Sequence, residues 1–281
     1  MNRRENNIRT FENTKALCVT HPTLKASIGY SQVTQAMISE KQKPAMSDLS
    51  HYAEPANIIV SKKRTYEAAN AYTRLGLRTA VLNFASASNP GGGVVNGSSA
   101  QEESLCRCST LYFCLSTQEM WDRFYTPHRK ERNPLHNDDC IYTPGVTVFK
   151  SDTDEPKLLP ERAWYKVYVL SCAAPNLRPQ PSNRMNPGDG DRHIKISDEE
   201  LKTLHCKRLQ RILSIAAANH DQAIILGAFG CGAFMNDPEI VAEASKETIR
   251  LFMYSFKIIE FAVYCRPDDD TNYRCFQKIL K

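Results

Sequence analysis

Residues 81–115 read VLNFASASNPGGGVVNGSSAQEESLCRCSTLYFCL, and this stretch decides the fold. An apolar, strand-like run (Val81, Leu82, Phe84, Ala85) breaks at Ser-Ala-Ser-Asn-Pro into Gly91, Gly92 and Gly93. After a small-residue loop, Gln101-Glu102-Glu103 opens a helix expected to run from Ala100 to Ser116. A strand feeding a glycine loop that feeds a helix lets backbone N–H groups approach a phosphorylated sugar closely. Two acidic residues then stand beside whatever that loop holds.

A plainer reading competes for part of this. Ser99-x-x-Glu102 fits a capping box, in which Glu102 would reach back to the helix's own backbone. Glu103 lies one position further, and the box does not explain it. Glycine use favours the ligand reading: 12 glycines in 281 residues is about 4%, against an average near 7%. Four of them fall between Gly91 and Gly97, and three more at Gly227, Gly230 and Gly232. A chain sparing with glycine has concentrated it in two loops, which suits close backbone approach better than general flexibility.

Working outward, strands and helices alternate. Ile58-Ile59-Val60 is a short buried strand, Thr65 to Leu75 a helix closed by Gly76, and Thr79 to Ala85 the strand into the first loop. Cys140–Tyr142 and Val146–Phe149 read as strands around a Pro144-Gly145 turn, and Trp164–Ser171 as another strand. Ser197-Asp198-Glu199-Glu200 is a capping box opening a helix to about Asn219. Ala223–Leu226 is a strand into the second glycine loop, Asp237-Pro238-Glu239 starts a helix, Ile258–Tyr264 is a last strand and Asn272–Leu280 a last helix. Such alternation indicates a three-layer α/β/α sandwich, with ligands at the carboxyl ends of the strands, where both loops fall.

Three segments stand apart. Asn6–Cys18 and Gln32–Lys41 read as two helices split by His21-Pro22, so residues 1–50 are expected to form an N-terminal helical extension packed on a catalytic domain of residues 51–281. Lys41–Ser50 is a polar joint containing a proline. Tyr125–Asp139 reads as a charged, solvated connection, and residues 175–195, with Pro175, Pro179, Pro181 and Pro187, as a long loop that is either a lid or an insertion.

Hydrophobic residues at 42% and charged residues at 24% are those of a globular protein with a real core. A net charge of +5 is compatible with a polyanionic substrate but selects little. The start, MNRRENNIRTFENTK, lacks the apolar core of a signal peptide, and no apolar run is long enough to span a membrane. The ten cysteines include no Cys-x-x-Cys and no Cys/His cluster at zinc spacing, so reduced thiols in a cytoplasmic protein are expected, with no metal and no cofactor. There is no P-loop lysine signature, which sets aside a generic nucleotide hydrolase.

Gly91-Gly92-Gly93, seven residues, then Gln101-Glu102-Glu103 resembles the signature of poly(ADP-ribose) glycohydrolases, which are macrodomain enzymes. Leu82–Ala87 and Ser109–Tyr112 look like the microbial-type (bacterial-type) branch, and Leu226–Phe234 is similar to the family's diphosphate-binding loop. With Ser171–Asn176 between them, the likeness spans residues 57 to 265 or so. It implies a macrodomain-like sandwich with a mixed central sheet.

What it implies for the site is specific. Gly230, Cys231, Gly232 and Ala233 would hold the diphosphate of ADP-ribose, with Phe234 against the terminal ribose, although an ordinary core aromatic remains the plainer reading of Phe234. Tyr264, with Phe261 as second choice, would stack on adenine, and for both a core role stays open. Ser86 and Asn89, with Asn83 nearby, compete for the distal ribose. Gly91, Gly92, Gly93 and Gln101 complete the ligand-binding set. Glu103 would be the general acid/base, and Glu102 would orient the ribose hydroxyls. The expected substrate is poly(ADP-ribose) or ADP-ribosylated protein, cut mainly from the chain terminus with release of ADP-ribose, by a monomer without membrane contact. The alternatives are an ADP-ribose-binding module without turnover, or a hydrolase of protein-linked mono-ADP-ribose.

Overall fold

The computed structural model describes residues 2–42, 49–183 and 187–281. The middle of the expected joint at Lys41–Ser50 and part of the proline-rich loop therefore lie outside the described residues.

Among the described residues, seven strands form one mixed sheet in the order β1-β4-β5-β3-β6-β7-β2. They are β1 (Ala36–Ile38), β2 (Asn57–Ser61), β3 (Thr79–Phe84), β4 (Cys140–Val148), β5 (Tyr165–Cys172), β6 (Ala223–Leu226) and β7 (Ile258–Ala262). β5, β3, β6, β7 and β2 run parallel, while β4 pairs antiparallel with both β5 and the edge strand β1.

Side chains alternate across this sheet with the period of two that a pleated strand imposes. Ala80, Leu82, Ile224 and Leu226 face one apolar cluster, with Ile212, Leu213, Val241 and Phe276. Val81, Ala223 and Ile225 face the other, with Phe11, Tyr66, Leu105 and Phe124. A strand buried on both faces needs a helical layer on each, and the chain supplies them. α8 (Asp198–Ala218), α9 (Pro238–Ile249) and α10 (Thr271–Leu280) cover the first face. α1 (Arg3–Thr20), α3 (Thr65–Thr73) and α4 (Gln101–Cys108) lie over the second. The remaining helices are α2 (Pro22–Thr34), α5 (Leu111–Leu115), α6 (Gln118–Met120) and α7 (Thr126–Glu131), with a π-helical turn at Trp121–Tyr125 before α7. The architecture is the three-layer α/β/α sandwich with a mixed sheet.

Two helix starts read from the sequence stand as expected. Ser197 and Glu200 make the reciprocal capping box of α8, and Asp237 caps α9 with Pro238 at its first position. Four expectations need correction. Gln32–Lys41 is not a helix: α2 ends at Thr34, and Ala36–Ile38 pairs with Cys140–Tyr142 as β1. Pro144-Gly145 is not a turn between two strands but a bulge within β4, between Thr143 and Val146. The helix from Ala100 stops at Cys108, because Ser109 turns extended (φ −147°, ψ 179°) and bridges to Val148. Tyr125–Asp139 is not a solvated connection: His128, His136, Asp138 and Asp139 are all buried. Asp138 escapes the cost of burial by accepting from the Arg208 Nε of α8 at 3.0 Å and pairing with Lys207 at 2.7 Å.

α1 is fastened to the first glycine loop. Arg4 Nε donates to the Asn96 carbonyl at 2.7 Å, and Asn7 Nδ2 to the Gly97 carbonyl at 3.0 Å.

Candidate active site

β3 and β6 are parallel neighbours, so both glycine loops leave the sheet side by side at its carboxyl edge. Gly91 and Gly92 take left-handed backbone (φ 66° and 57°), which folds the first loop back over the start of α4. The absence of a side chain at Gly92 is obligatory. A Cβ there would stand 2.6 Å from Glu103 Oε1 and 3.1 Å from Glu102 Oε2. The loop thus lies directly on the two carboxyl groups.

Glu102 does not cap its helix. The N-cap position is Ala100, and it makes no side-chain capping bond. Instead Glu102 Oε2 accepts from the Ser86 N–H at 2.7 Å and Oε1 from Asn83 Nδ2 at 3.2 Å. Glu103 Oε1 accepts from the Gly93 N–H at 2.9 Å, whereas its Oε2 is buried with no hydrogen-bond partner. Burial raises the pKa of both groups, and the charge of Glu103 raises Glu102 further. On Glu103 the Gly93 N–H, then the backbone at the start of α4 and the Arg107 charge, pull in the opposite direction, and burial outweighs them. The pair therefore holds a proton above the ordinary carboxylate range.

Gln101 is spent on the scaffold. Its Oε1 accepts from the Phe84 N–H at 2.9 Å and its Nε2 donates to the Leu82 carbonyl at 2.7 Å, which satisfies the last backbone groups of β3. Ser86 Oγ accepts from the N–H of Asn89 at 3.1 Å and fixes the turn before the glycines. Asn89 Oδ1 accepts from Arg129 Nη2, and Arg129 Nε reaches the Ser88 carbonyl at 2.7 Å.

In the second loop, Gly230 (φ 82°) packs against Asn236 and Ala174, while Gly232 and Ala233 are exposed and nothing would meet a Cβ at Gly232. Cys231 is half-buried. Phe234 is half-buried too, with the Arg178 guanidinium 5.7 Å from its ring centre and the His136 ring at 6.2 Å. It is a rim residue. Asn236 holds this loop in shape. Its Nδ2 donates to the carbonyls of Pro175 (2.7 Å), Gly230 (3.1 Å) and Phe234 (3.2 Å), and its Oδ1 pairs with His205 Nε2 at 2.8 Å.

The adenine candidates separate. Phe261 is buried in the core, 5.8 Å from the Phe276 ring, and cannot present a face to a ligand. Tyr264 is 42% exposed, with the Arg64 guanidinium 3.8 Å above its ring and its hydroxyl donating to Asp154 at 3.3 Å.

The structure thus brings together Glu102, Glu103, Ser86 and Gly91–Gly93 beneath one loop, and Gly230–Phe234 along the next. Asn83, Arg129 and Asn236 belong to the same framework, and sequence reasoning gave them no firm part. Asn83 carried a usable signal: an amide among Val81, Leu82 and Phe84 in a buried strand must hydrogen-bond something specific. Among the described residues no group of three or more His, Cys, Asp or Glu is arranged to hold a metal ion, and no helix is long and apolar enough to cross a membrane.

Known proteins resemble this chain in sequence and fold. The family model for the catalytic domain of microbial-type poly(ADP-ribose) glycohydrolase (PARG) matches residues 12–151. The crystal structure of poly(ADP-ribose) glycohydrolase from Thermomonospora curvata superposes with a TM-score of 0.82 at 30% identity, over 98% of this chain and 99% of that one. The same enzyme bound to the inhibitor ADP-HPD gives 0.80 at 29% identity, over 98% and 99%. The Deinococcus radiodurans enzyme in complex with ADP-ribose gives 0.73 at 29% identity, over 90% and 96%. No curated protein matches the chain at a significant level. The family model stops before the second glycine loop, but the structural likeness runs through both. The chain belongs to the microbial-type poly(ADP-ribose) glycohydrolase family.

Proposed function

We propose that this protein hydrolyses the ribose–ribose glycosidic bonds of poly(ADP-ribose), mainly from the chain terminus, and releases ADP-ribose. The observation that carries the reading is the state of Glu103. One carboxyl oxygen is pinned by the Gly93 N–H beneath the glycine loop, and the other is buried and unpartnered. A buried polar atom without a partner calls for an explanation, and a hydroxyl or glycosidic oxygen of a bound sugar would satisfy it.

The chemistry follows from that placement. Gly230, Gly232 and Ala233 offer backbone N–H groups to the diphosphate, the Cys231 N–H being held by the Ala228 carbonyl at 3.1 Å, with Phe234 beside the terminal ribose. Tyr264 takes the adenine, with Arg64 moving with it or aside. Glu103 donates its proton to the leaving 2′-oxygen of the neighbouring unit as the C1″–O bond breaks, and positive charge builds on the ribose. Glu102, anchored by Ser86 and Asn83, orients the hydroxyls of that ribose. A water molecule then bonds to C1″ and returns a proton to Glu103, leaving ADP-ribose and a polymer one unit shorter. Burial raises the pKa of both carboxyl groups, the direction a proton donor requires.

The chain-end mode is supported by the sequence around the loops, which carries no long inserted clasp. Residues 51–281 serve as the catalytic domain and residues 1–50 as its extension, and α1 props the first loop through Arg4 and Asn7. A monomer is sufficient, because every residue named lies on one chain. Incubation of the purified protein with poly(ADP-ribose), followed by chromatographic separation of products, tests the reading. Free ADP-ribose as the main early product supports it, and undigested polymer overturns it.

A further inference from the structure

A buried carboxylate outside the catalytic pair joins the two glycine loops. Asp189 is 1% exposed and sits in the proline-rich segment between β5 and α8. Its Oδ1 accepts from Ser88 Oγ at 2.9 Å, and its Oδ2 from Asn176 Nδ2 at 2.8 Å. The His136 Nε2, itself buried without a hydrogen-bond partner, lies 3.7 Å from the same Oδ2. Burial holds His136 neutral, so Asp189 is bound by hydrogen bonds and not by a firm ion pair.

Each arm leads to a different part of the site. On one side, the Ser88 N–H donates to Ser86 Oγ at 3.3 Å, and the Ser86 N–H donates to Glu102 at 2.7 Å. On the other, Asn176 is followed by Leu177, whose N–H donates to the Phe234 carbonyl at 2.9 Å, and Asn176 Oδ1 accepts from Arg178 Nε at 3.0 Å. Arg178 in turn faces the Phe234 ring. The segment is pressed close where it crosses the first loop. A Cβ at Gly188 would lie 2.5 Å from the Ser88 Cβ and 2.9 Å from Arg129 Cγ.

We infer that Asp189 is a positioning residue: it sets the spacing between the turn that holds Glu102 and the loop that ends at Phe234, and so the fit of the site around ADP-ribose. It touches neither substrate nor catalytic carboxyls. It acts through Ser88 and Asn176. This rests on the glycohydrolase reading, but its failure is separable from that one.

Removing the carboxylate strands two buried donors, a loss that each local hydrogen bond makes measurable. The test measures ADP-ribose affinity by calorimetry, and kcat and KM on poly(ADP-ribose), for wild type, Asp189→Ala, Asp189→Asn, Ser88→Ala and the Asp189→Ala/Ser88→Ala pair, with thermal melting as control. Asp189→Ala is expected to weaken ADP-ribose by about tenfold or more, with KM rising further than kcat falls. Asp189→Asn, which keeps an acceptor for Ser88 but turns its own NH2 toward the donating Asn176 amide, is expected to recover only part of that loss. Ser88→Ala should weaken binding alone yet add nothing in the Asp189→Ala background, because one path carries both effects. The inference is overturned if Asp189→Ala folds and binds ADP-ribose as wild type does, or if the two losses simply add. Should Asp189→Ala fail to fold, Ser88→Ala decides: ADP-ribose binding at the wild-type level by that variant overturns it. If wild type itself neither binds ADP-ribose nor cuts polymer, the functional reading has failed instead.

Discussion

The Gly92 backbone and the Glu103 carboxyl occupy one space: a single added carbon at Gly92 would come within 2.6 Å of Glu103 Oε1. Loop and acid have therefore to be considered as one unit. The left-handed backbone at Gly92 (φ 57°) brings the loop down, and the Gly93 N–H fixes the carboxyl that the loop covers.

The first prediction follows directly. Gly92→Ala combines a left-handed alanine, a cost of about 1–2 kcal/mol, with displacement of Glu103. Polymer hydrolysis should fall by about two orders of magnitude, the scale of a misplaced catalytic group, while the melting temperature drops by only a few degrees. A rate assay beside a melting curve checks both. Wild-type turnover in the alanine variant would contradict the coupling of loop and acid.

Asn236 donates to the Gly230 and Phe234 carbonyls of the second loop and ties them to the Pro175 carbonyl and to His205. Asn236→Ala should destabilise the fold by about 1–3 kcal/mol in urea denaturation, since buried carbonyls lose their donor. ADP-ribose affinity should fall with it, because Gly230 to Phe234 loses its shape. Unchanged affinity would detach this loop from the ligand.

His205 makes stability depend on pH. Burial lowers its pKa from 6.5 to about 4, so the neutral form is the one the fold accepts. For a base with a depressed pKa, the contribution is complete above the unfolded value and is lost as pH falls toward the folded value. The window is therefore pH 6.5 down to about 4, and the size about 3 kcal/mol. His205→Gln should flatten the stability profile over that range, as measured by denaturation at a series of pH values. An equally steep profile in the variant would assign the effect elsewhere.

Tyr264 offers the exposed aromatic face that Phe261 cannot. Tyr264→Ala should weaken ADP-ribose by about tenfold, the worth of one stacked base, and leave the affinity for ribose 5-phosphate unchanged. Calorimetry with the two ligands distinguishes an adenine partner from a general prop. Equal losses for both would remove Tyr264 from the adenine site.

What the sequence displayed of all this was set by how far apart the interacting residues lie. Both glycine loops, the capping box at Ser197 and Glu200, and the Pro238 helix start are local devices, and each stands where it was expected. The break at Ser109 was hidden, because its causes are the distant Tyr66 hydroxyl and the bridge to Val148. The 125–139 segment looked solvated for the same reason: its buried Asp138 is paired with the distant Arg208 and Lys207 of α8. In the site, the nearness of Glu103 to the Gly91–Gly93 loop was legible from the motif that carries the family resemblance, whereas the Glu102 anchor on Ser86 needed the loop to fold back. Asp189 meets Ser88 across 101 residues, a distance that no motif spans.

The central claim is that Glu103 moves the proton for a sugar held by the two loops. Single-turnover digestion of poly(ADP-ribose) by Glu103→Gln, paired with calorimetric binding of ADP-ribose, tests it most directly. The account predicts a rate lower by about two to four orders of magnitude with ADP-ribose affinity close to wild type. Polymer digestion at the parental rate by a variant that still binds ADP-ribose would contradict it.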